Sequence, residues 1–230
     1  MLGSDGRVIM VSGAARGIGR AIVERLLAAG FRVSAGMRRP DAAAGSDALM
    51  THAYEAEDAD SPGAWVAATV ARFGRLDGLV NAAGINPMAN WADADEAPLD
   101  LMWRVNVKGP MRLCRAALPH LKAAGAGRIV NVASLSGKRV ANSNTGYAIS
   151  KFAVVALTQA LRRDCFDAGI RATALCPGFV DTDMTAGADF PRDQMTRPED
   201  LAALTETLLC LPSNAVVAEL LVNCRPETIV

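Results

Sequence analysis

VIMVSGAARGIG, residues 8–19, sets a short apolar run directly against a loop with glycines at 13, 17 and 19. VIMV (8–11) has the continuous apolar character of a strand buried on both faces. The residues after the loop, through RAIVERLLAAG, carry the apolar spacing of a helix closed by Gly30. Strand, glycine-rich turn and helix in that order make a cradle for phosphate. Gly13 permits a tight turn, and Gly17 and Gly19 let a ligand and the strand approach the backbone closely. The helix N-terminus then offers free N–H groups and partial positive charge to a pyrophosphate. A purely structural turn does not need three glycines at this spacing.

Outward from this unit the same alternation repeats. Further strands are expected at 31–37, 51–57, 76–84, 127–134, 170–178 and 218–223, the second of these being the weakest. Helices are expected at 61–74, with Pro62 in its first turn, and at 99–124, 145–169 and 198–211. Repeated strand–helix units with continuous apolar strands predict an α/β fold, a doubly wound parallel sheet. No linker or low-complexity tract interrupts it, so one domain over 1–230 is expected.

Composition narrows the partners. The chain has 230 residues, 51% of them hydrophobic, which is enough to bury a substantial core. Its 24 basic and 24 acidic residues balance, so neither nucleic acid nor an anionic membrane is an expected partner. The apolar run at the N-terminus is too short for a secretion signal, and no stretch matches a membrane helix. Five scattered cysteines without a CxxC read as reduced thiols in a cytoplasmic protein. His52 and His120 are isolated, so neither a metal site nor a catalytic histidine is expected.

Two stretches speak to chemistry. The second strand ends GMRR (36–39), with Met37 where an acid would receive a ribose 2′-hydroxyl. Arg38 and Arg39, joined by Arg16 from the loop, suit a 2′-phosphate instead. NADP(H) is therefore the expected cofactor, with NAD(H) the alternative if these arginines only face solvent. In GYAISK (146–151), Tyr147 and Lys151 are four apart and share a helix face. A nearby ammonium favours the phenolate and fits tyrosine for acid–base work. Ser134, at a strand exit, is placed to hold the same substrate oxygen. Tyr-x-x-x-Lys alone is a common coincidence.

In combination these motifs resemble the short-chain dehydrogenase/reductase family, from about residue 7 to about 223. The resemblance implies a single Rossmann-type domain, from which this chain departs in its short C-terminus. SGAARGIG then matches the cofactor loop, with Ala15 and Ile18 among its contacts. NAAG (81–84) borders the adenosine and ribose. Asn106, in RVNVKG, holds a water in a proton relay. Ser134 lies thirteen residues before Tyr147, with Gly137 following it. Tyr147 is the proton donor, and Lys151 binds the nicotinamide ribose and depresses the tyrosine pKa. PGFVDTD (177–183) packs on the nicotinamide, with Thr182 near its carboxamide.

The expected catalytic set is thus Ser134, Tyr147, Lys151 and Asn106. The expected cofactor set is Gly13, Ala15, Arg16, Gly17, Ile18 and Gly19, with Arg38, Arg39, Glu55 and Ala56. It also takes in Asn81, Ala82, Ala83, Gly84, Tyr147, Lys151, Pro177, Gly178, Val180 and Thr182. The expected activity interconverts a small carbonyl compound and its alcohol, Tyr147 exchanging the proton and Ser134 holding the oxygen. A non-catalytic dinucleotide-binding regulator, or a lyase or epimerase on the same fold, is the competing reading. Met88, Trp91, Val140, Phe179, Met184 and Phe190 are candidates for an apolar substrate pocket, with Ser136 as lining. The tail CRPETIV and the segment between Asp183 and Pro198 are short for the family. A homodimer or homotetramer built on the helices 99–124 and 145–169 is expected.

Overall fold

The computed structural model describes residues 1–40 and 45–226. The last four residues of the tail, 227–230, therefore lie outside the described residues. The strands are β1 (Val8–Ser12), β2 (Arg32–Met37), β3 (Leu49–Ala53), β4 (Gly78–Asn81), β5 (Arg128–Val132), β6 (Arg171–Pro177) and β7 (Glu219–Val222). They form one sheet in the order β3-β2-β1-β4-β5-β6-β7, with every pair parallel. The helices are α1 (Gly17–Ala28), α2 (Ser61–Phe73), α3 (Ala97–Met102), α4 (Gly109–Ala123), α5 (Thr145–Cys165) and α6 (Pro198–Cys210).

Alternation along the strands explains the two layers. Successive side chains of a strand point to opposite faces. Ile9 and Val11 accordingly join Val33, Val80, Val130 and Leu175 beneath α1 and α6. Val8 and Met10 join Leu79, Ile129 and Ala172 beneath α2, α4 and the end of α5. Both faces are covered, which is why apolar residues predominate on both faces of the central strands. Chain order reverses between β1 and β4, and a crevice opens at the carboxyl ends of those strands.

The ladders are shorter than the apolar runs. The run 76–84 pairs only over Gly78–Asn81, because the Ala82 and Ala83 N–H groups turn to donate to Ser12 Oγ at 3.2 Å each. The expected helix 99–124 is also not uniform. It starts at Ala97, widens to a π-helical stretch over Trp103–Lys108, and continues as α4. Pro110 has no N–H to give the carbonyl of Asn106 four residues earlier, and Gly109 N–H bonds Arg104 O five residues back. No described helix is long and apolar enough to cross a membrane.

Candidate active site

The glycine loop is held in one shape by close backbone contacts. Gly13 has φ +69°, and a side chain there would bring its Cβ to 2.7 Å from Ala83 N. A Cβ on Gly19 would collide with the carbonyl oxygen of Gly13. Gly17 has φ +55° and faces the Thr182 methyl, where a Cβ would come within 3.2 Å. The first two glycines therefore fasten the loop to β4 and to itself, and the third sets the strand-to-helix turn. Arg16 precedes α1 without a side-chain capping bond, and the first turn holds no acid. The first N–H groups of α1 are left for a ligand, and an anion is what they favour.

A cleft of about 350 Å³ opens over this loop. Gly13, Ala15, Arg16, Gly17, Ile18 and Gly19 form its floor. Ala82, Ala83 and Gly84 form one wall, and Thr182, Asp183 and Met184 close the opposite lip. At the end of β2 it is bounded by Met37 and Arg38, and beyond β3 by Glu55 and Ala56. Arg39 is exposed and does not line the cleft. Arg16 NH1 reaches Asp183 Oδ2 at 2.9 Å, an exposed ion pair across the mouth. Gly36 lies under Trp65, whose Nε1 donates to Ser34 Oγ at 2.9 Å, so a Cβ at position 36 would strike the indole. These features fit a dinucleotide: a glycine cradle that a Cβ would fill, uncapped helix N–H groups, and arginines at the end that would take the adenosine ribose.

Not every expected cofactor residue faces this space. Asn81 is buried behind it and donates to Asn131 Oδ1 at 2.8 Å, which links β4 to β5. Gly178 gives its N–H to Val222 O at 2.8 Å and packs against Leu135 and Asn223. Val180 is buried and bridges to Thr196. Pro177 ends β6, with its carbonyl 3.4 Å from Ser134 Oγ. These three shape the lip that carries Thr182.

The structure brings the four expected catalytic residues together. Tyr147 is half-buried, and its hydroxyl shares a hydrogen bond with Ser134. Ser136 N–H donates to Ser134 Oγ at 3.0 Å and fixes that side chain, so Ser136 acts on Ser134 through its backbone. Lys151 is buried, lies 5.6 Å from the Tyr147 ring centroid, and donates from Nζ to Val132 O at 2.9 Å. Asn106 accepts from Ile85 N and donates to Ile85 O, each at 2.9 Å, and also donates to Ser150 Oγ at 3.1 Å. A Cβ on Gly84 would lie 3.4 Å from Asn106 Oδ1 and 3.7 Å from Lys151 Nζ. The glycine of NAAG thus leaves the space between them open.

The electrostatics correct one expectation. Lys151 does not pull the tyrosine down in the protein alone. Burial pushes the Tyr147 phenol up to about 12, and the Ser134 hydrogen bond opposes that only in part. Burial also holds the Lys151 ammonium down to about 8. A lowered lysine pKa means that the unfolded chain binds the proton more tightly. The resulting penalty is complete below about pH 8 and fades as pH rises toward the ordinary value of 10.5. Lys151→Met is therefore expected to raise stability at pH 7, by up to about 3 kcal/mol at 1.36 kcal/mol per pH unit, less the lost bond to Val132. The gain should shrink between pH 8 and 10.5 in denaturant titrations of both proteins. A gain that does not change over that window would contradict the burial of a charged lysine.

The sequence reading missed Asn144. It is buried at the start of α5 and accepts on Oδ1 from Ala89 N at 3.0 Å and from Tyr147 N at 3.4 Å. Its Nδ2 donates to Asn86 Oδ1 at 2.8 Å and Pro87 O at 3.0 Å. One amide thus caps the helix bearing Tyr147 and ties it to the loop after NAAG. An asparagine three residues before the tyrosine was the available signal, since asparagine is a preferred N-cap. Ser150, which donates to Tyr147 O at 2.8 Å, and Ser12 were likewise unforeseen.

Of the apolar pocket candidates, Phe179 and Phe190 stack with centroids 5.3 Å apart, and Met184 borders the cleft. Met88, Trp91 and Val140 are exposed. His52 Nδ1 lies 2.6 Å from Ala53 O, and no group of three or more His, Cys, Asp or Glu converges among the described residues. All five cysteines are free thiols.

Comparison with known proteins agrees with this geometry. Residues 7–191 match the family model described as short chain dehydrogenase. An agropine synthesis reductase of Rhizobium rhizogenes is 40% identical over 229 residues, covering 96% of this chain and 53% of the relative. The chain thus spans about half the length of the first curated relatives it matches. A 2-(R)-hydroxypropyl-CoM dehydrogenase of Xanthobacter autotrophicus is 37% identical over 191 residues, 78% of this chain and 76% of that one. Among solved structures, an alcohol dehydrogenase from Thermococcus sibiricus complexed with 5-hydroxy-NADP superimposes with a TM-score of 0.86. It is 27% identical, with 96% of this chain and 99% of that one covered.

Proposed function

The chain belongs to the short-chain dehydrogenase family, a family of NAD(P)-dependent oxidoreductases, and on that premise we propose that it is an NADP(H)-preferring enzyme interconverting a carbonyl compound and its alcohol. The observation that carries this is the meeting of the Ser134 and Tyr147 hydroxyls beside buried Lys151, whose Nζ approaches Gly84 on the wall of the glycine-floored cleft. Residues 1–230 are read as one such catalytic unit.

The glycine loop and the start of α1 would hold the pyrophosphate, Arg38 and Arg16 the 2′-phosphate, and Lys151 the nicotinamide ribose. The cofactor, when bound, supplies the hydride. The protein handles the proton. A phenol held at about 12 stays protonated at neutral pH, and a developing alkoxide is the stronger base, so Tyr147 gives its proton to the substrate oxygen. Ser134 Oγ, fixed by Ser136 N–H, receives that oxygen beside Tyr147. Lys151 and a water at Asn106 return a proton to the phenol. Oxidation runs the same path backwards and needs the phenolate, so it is favoured by alkaline pH. Exposed Ile149 and Phe152 on α5, with Trp103 beside α4, support a homodimer or homotetramer through these helices.

Thermal unfolding with NADP⁺, with NAD⁺ and without ligand tests the cofactor assignment. A ligand at 100 times its dissociation constant stabilises by about 2.7 kcal/mol, which a melting curve resolves. NADP⁺ is expected to give the larger shift, and Arg38→Ala to remove the difference. A selective NAD⁺ shift would overturn the arginine assignment, and no shift with either would overturn the enzyme reading.

A further inference from the structure

We propose that Arg225 receives an anionic group of the substrate, a carboxylate or an equivalent oxyanion remote from the reacting carbonyl; this rests on the carbonyl–alcohol reading of the site. The chain segments that follow β5, β6 and β7 all emerge at the carboxyl edge of the sheet, where Ser134 lies. They touch one another there. A Cβ on Gly178 would sit 3.1 Å from Leu135 Cδ1 and 2.5 Å from Asn223 Oδ1. Two residues beyond Asn223, the Arg225 guanidinium carbon lies 5.5 Å from the Phe179 ring centroid and 5.7 Å from that of Phe190. The two rings stack nearly parallel, at 10°. An arginine on aromatic rings uses its face there and keeps its N–H edge available for a carboxylate fork. Arg225 is exposed and forms no ion pair with any described residue.

The surrounding charge points the same way. Arg139, whose N–H donates to Leu135 O at 3.1 Å, is held below its usual range by burial first and by the charge of Arg225 second. Glu219 is taken by Lys138 at 2.6 Å, and Asp181 is taken by Arg192. An anion held at Arg225 would offset the charge that Arg225 exerts on Arg139. The Phe179–Phe190 wall contributes apolar contact to the carbon chain that joins such an anion to the carbonyl.

The test uses levulinate and its longer straight-chain keto-acid homologues, each beside its methyl ester, with NADPH and either wild type or Arg225→Gln. In the wild type, the best acid is expected to exceed its ester in kcat/KM by at least about tenfold, the discrimination of one hydrogen bond to a charged group. Arg225→Gln should lower the acid to the level of its ester, and Arg225→Lys should restore part of the preference. Inorganic phosphate is expected to compete with the acids and not with the esters. Equal reduction of acids and esters by the wild type, or an acid preference that survives Arg225→Gln, would overturn the anion seat alone. Phosphate protection against unfolding that needs Arg225, without any acid preference, would mean a free-anion site and also overturn it. No turnover of either series while NADP⁺ binds would overturn the carbonyl reading beneath it.

Discussion

Tyr147→Phe is expected to lower carbonyl reduction on the order of 10³-fold, the contribution of a positioned general acid, while NADP⁺ affinity stays within a factor of about two. The substitution removes one oxygen from a half-buried ring and leaves the ring's contact with Lys151 in place. It also removes the hydroxyl that meets Ser134. The separation of the two readouts is the point. Loss of cofactor affinity alongside turnover would mean that the phenol is a binding group, and unchanged turnover would remove it as the proton donor. Because burial holds this phenol at about 12, wild-type oxidation of an alcohol should rise with pH through the alkaline range. Residual oxidation by the variant should lack that rise.

Gly19→Ala is expected to be the most damaging change to the cofactor cleft. The added methyl would collide with the Gly13 carbonyl oxygen and approach Ser12 O within 3.2 Å, both rigid backbone atoms. The loop must move away from β1, which costs about 1–3 kcal/mol of stability, as overpacking does. The same movement displaces the N–H groups of α1 from any phosphate, so NADP⁺ affinity should fall by at least about tenfold. Gly63→Ala is the control. Nothing lies within 4 Å of a Cβ there, and the residue sits in the first turn of α2, so a small gain in stability is expected. Equal stability and equal NADP⁺ binding in Gly19→Ala and wild type would contradict the close-packed loop.

The layered fold was legible because buried parallel strands write apolar runs, unbroken in VIMV and interrupted only by Arg32 and Ser34 in FRVSAGM. The glycine loop was legible because positive φ and close approach admit only glycine at Gly13 and Gly17. What the sequence could not convey was direction. Arg38 and Arg39 are neighbours in sequence, yet only Arg38 borders the cleft, since successive residues at a strand exit point opposite ways. Asn81 reads as part of NAAG but turns inward to Asn131. Helical spacing places Tyr147 and Lys151 together, but it does not reveal that Nζ is committed to Val132 O. The balance between burial and charge, which reverses the expected shift of the phenol, follows from that three-dimensional placement. The π-helical widening at Asn106 was hinted at by Pro110, whose missing N–H disturbs the preceding turn.

The most direct measurement of hydride transfer uses NADPH carrying deuterium at the reactive nicotinamide carbon, incubated with the wild type and a panel of small ketones and keto acids. One deuterium on the carbinol carbon of the alcohol product, detected by mass spectrometry and abolished in Tyr147→Phe, is the predicted result. Cofactor oxidation without label in any product, or no alcohol formed while NADP⁺ demonstrably binds, would contradict the account.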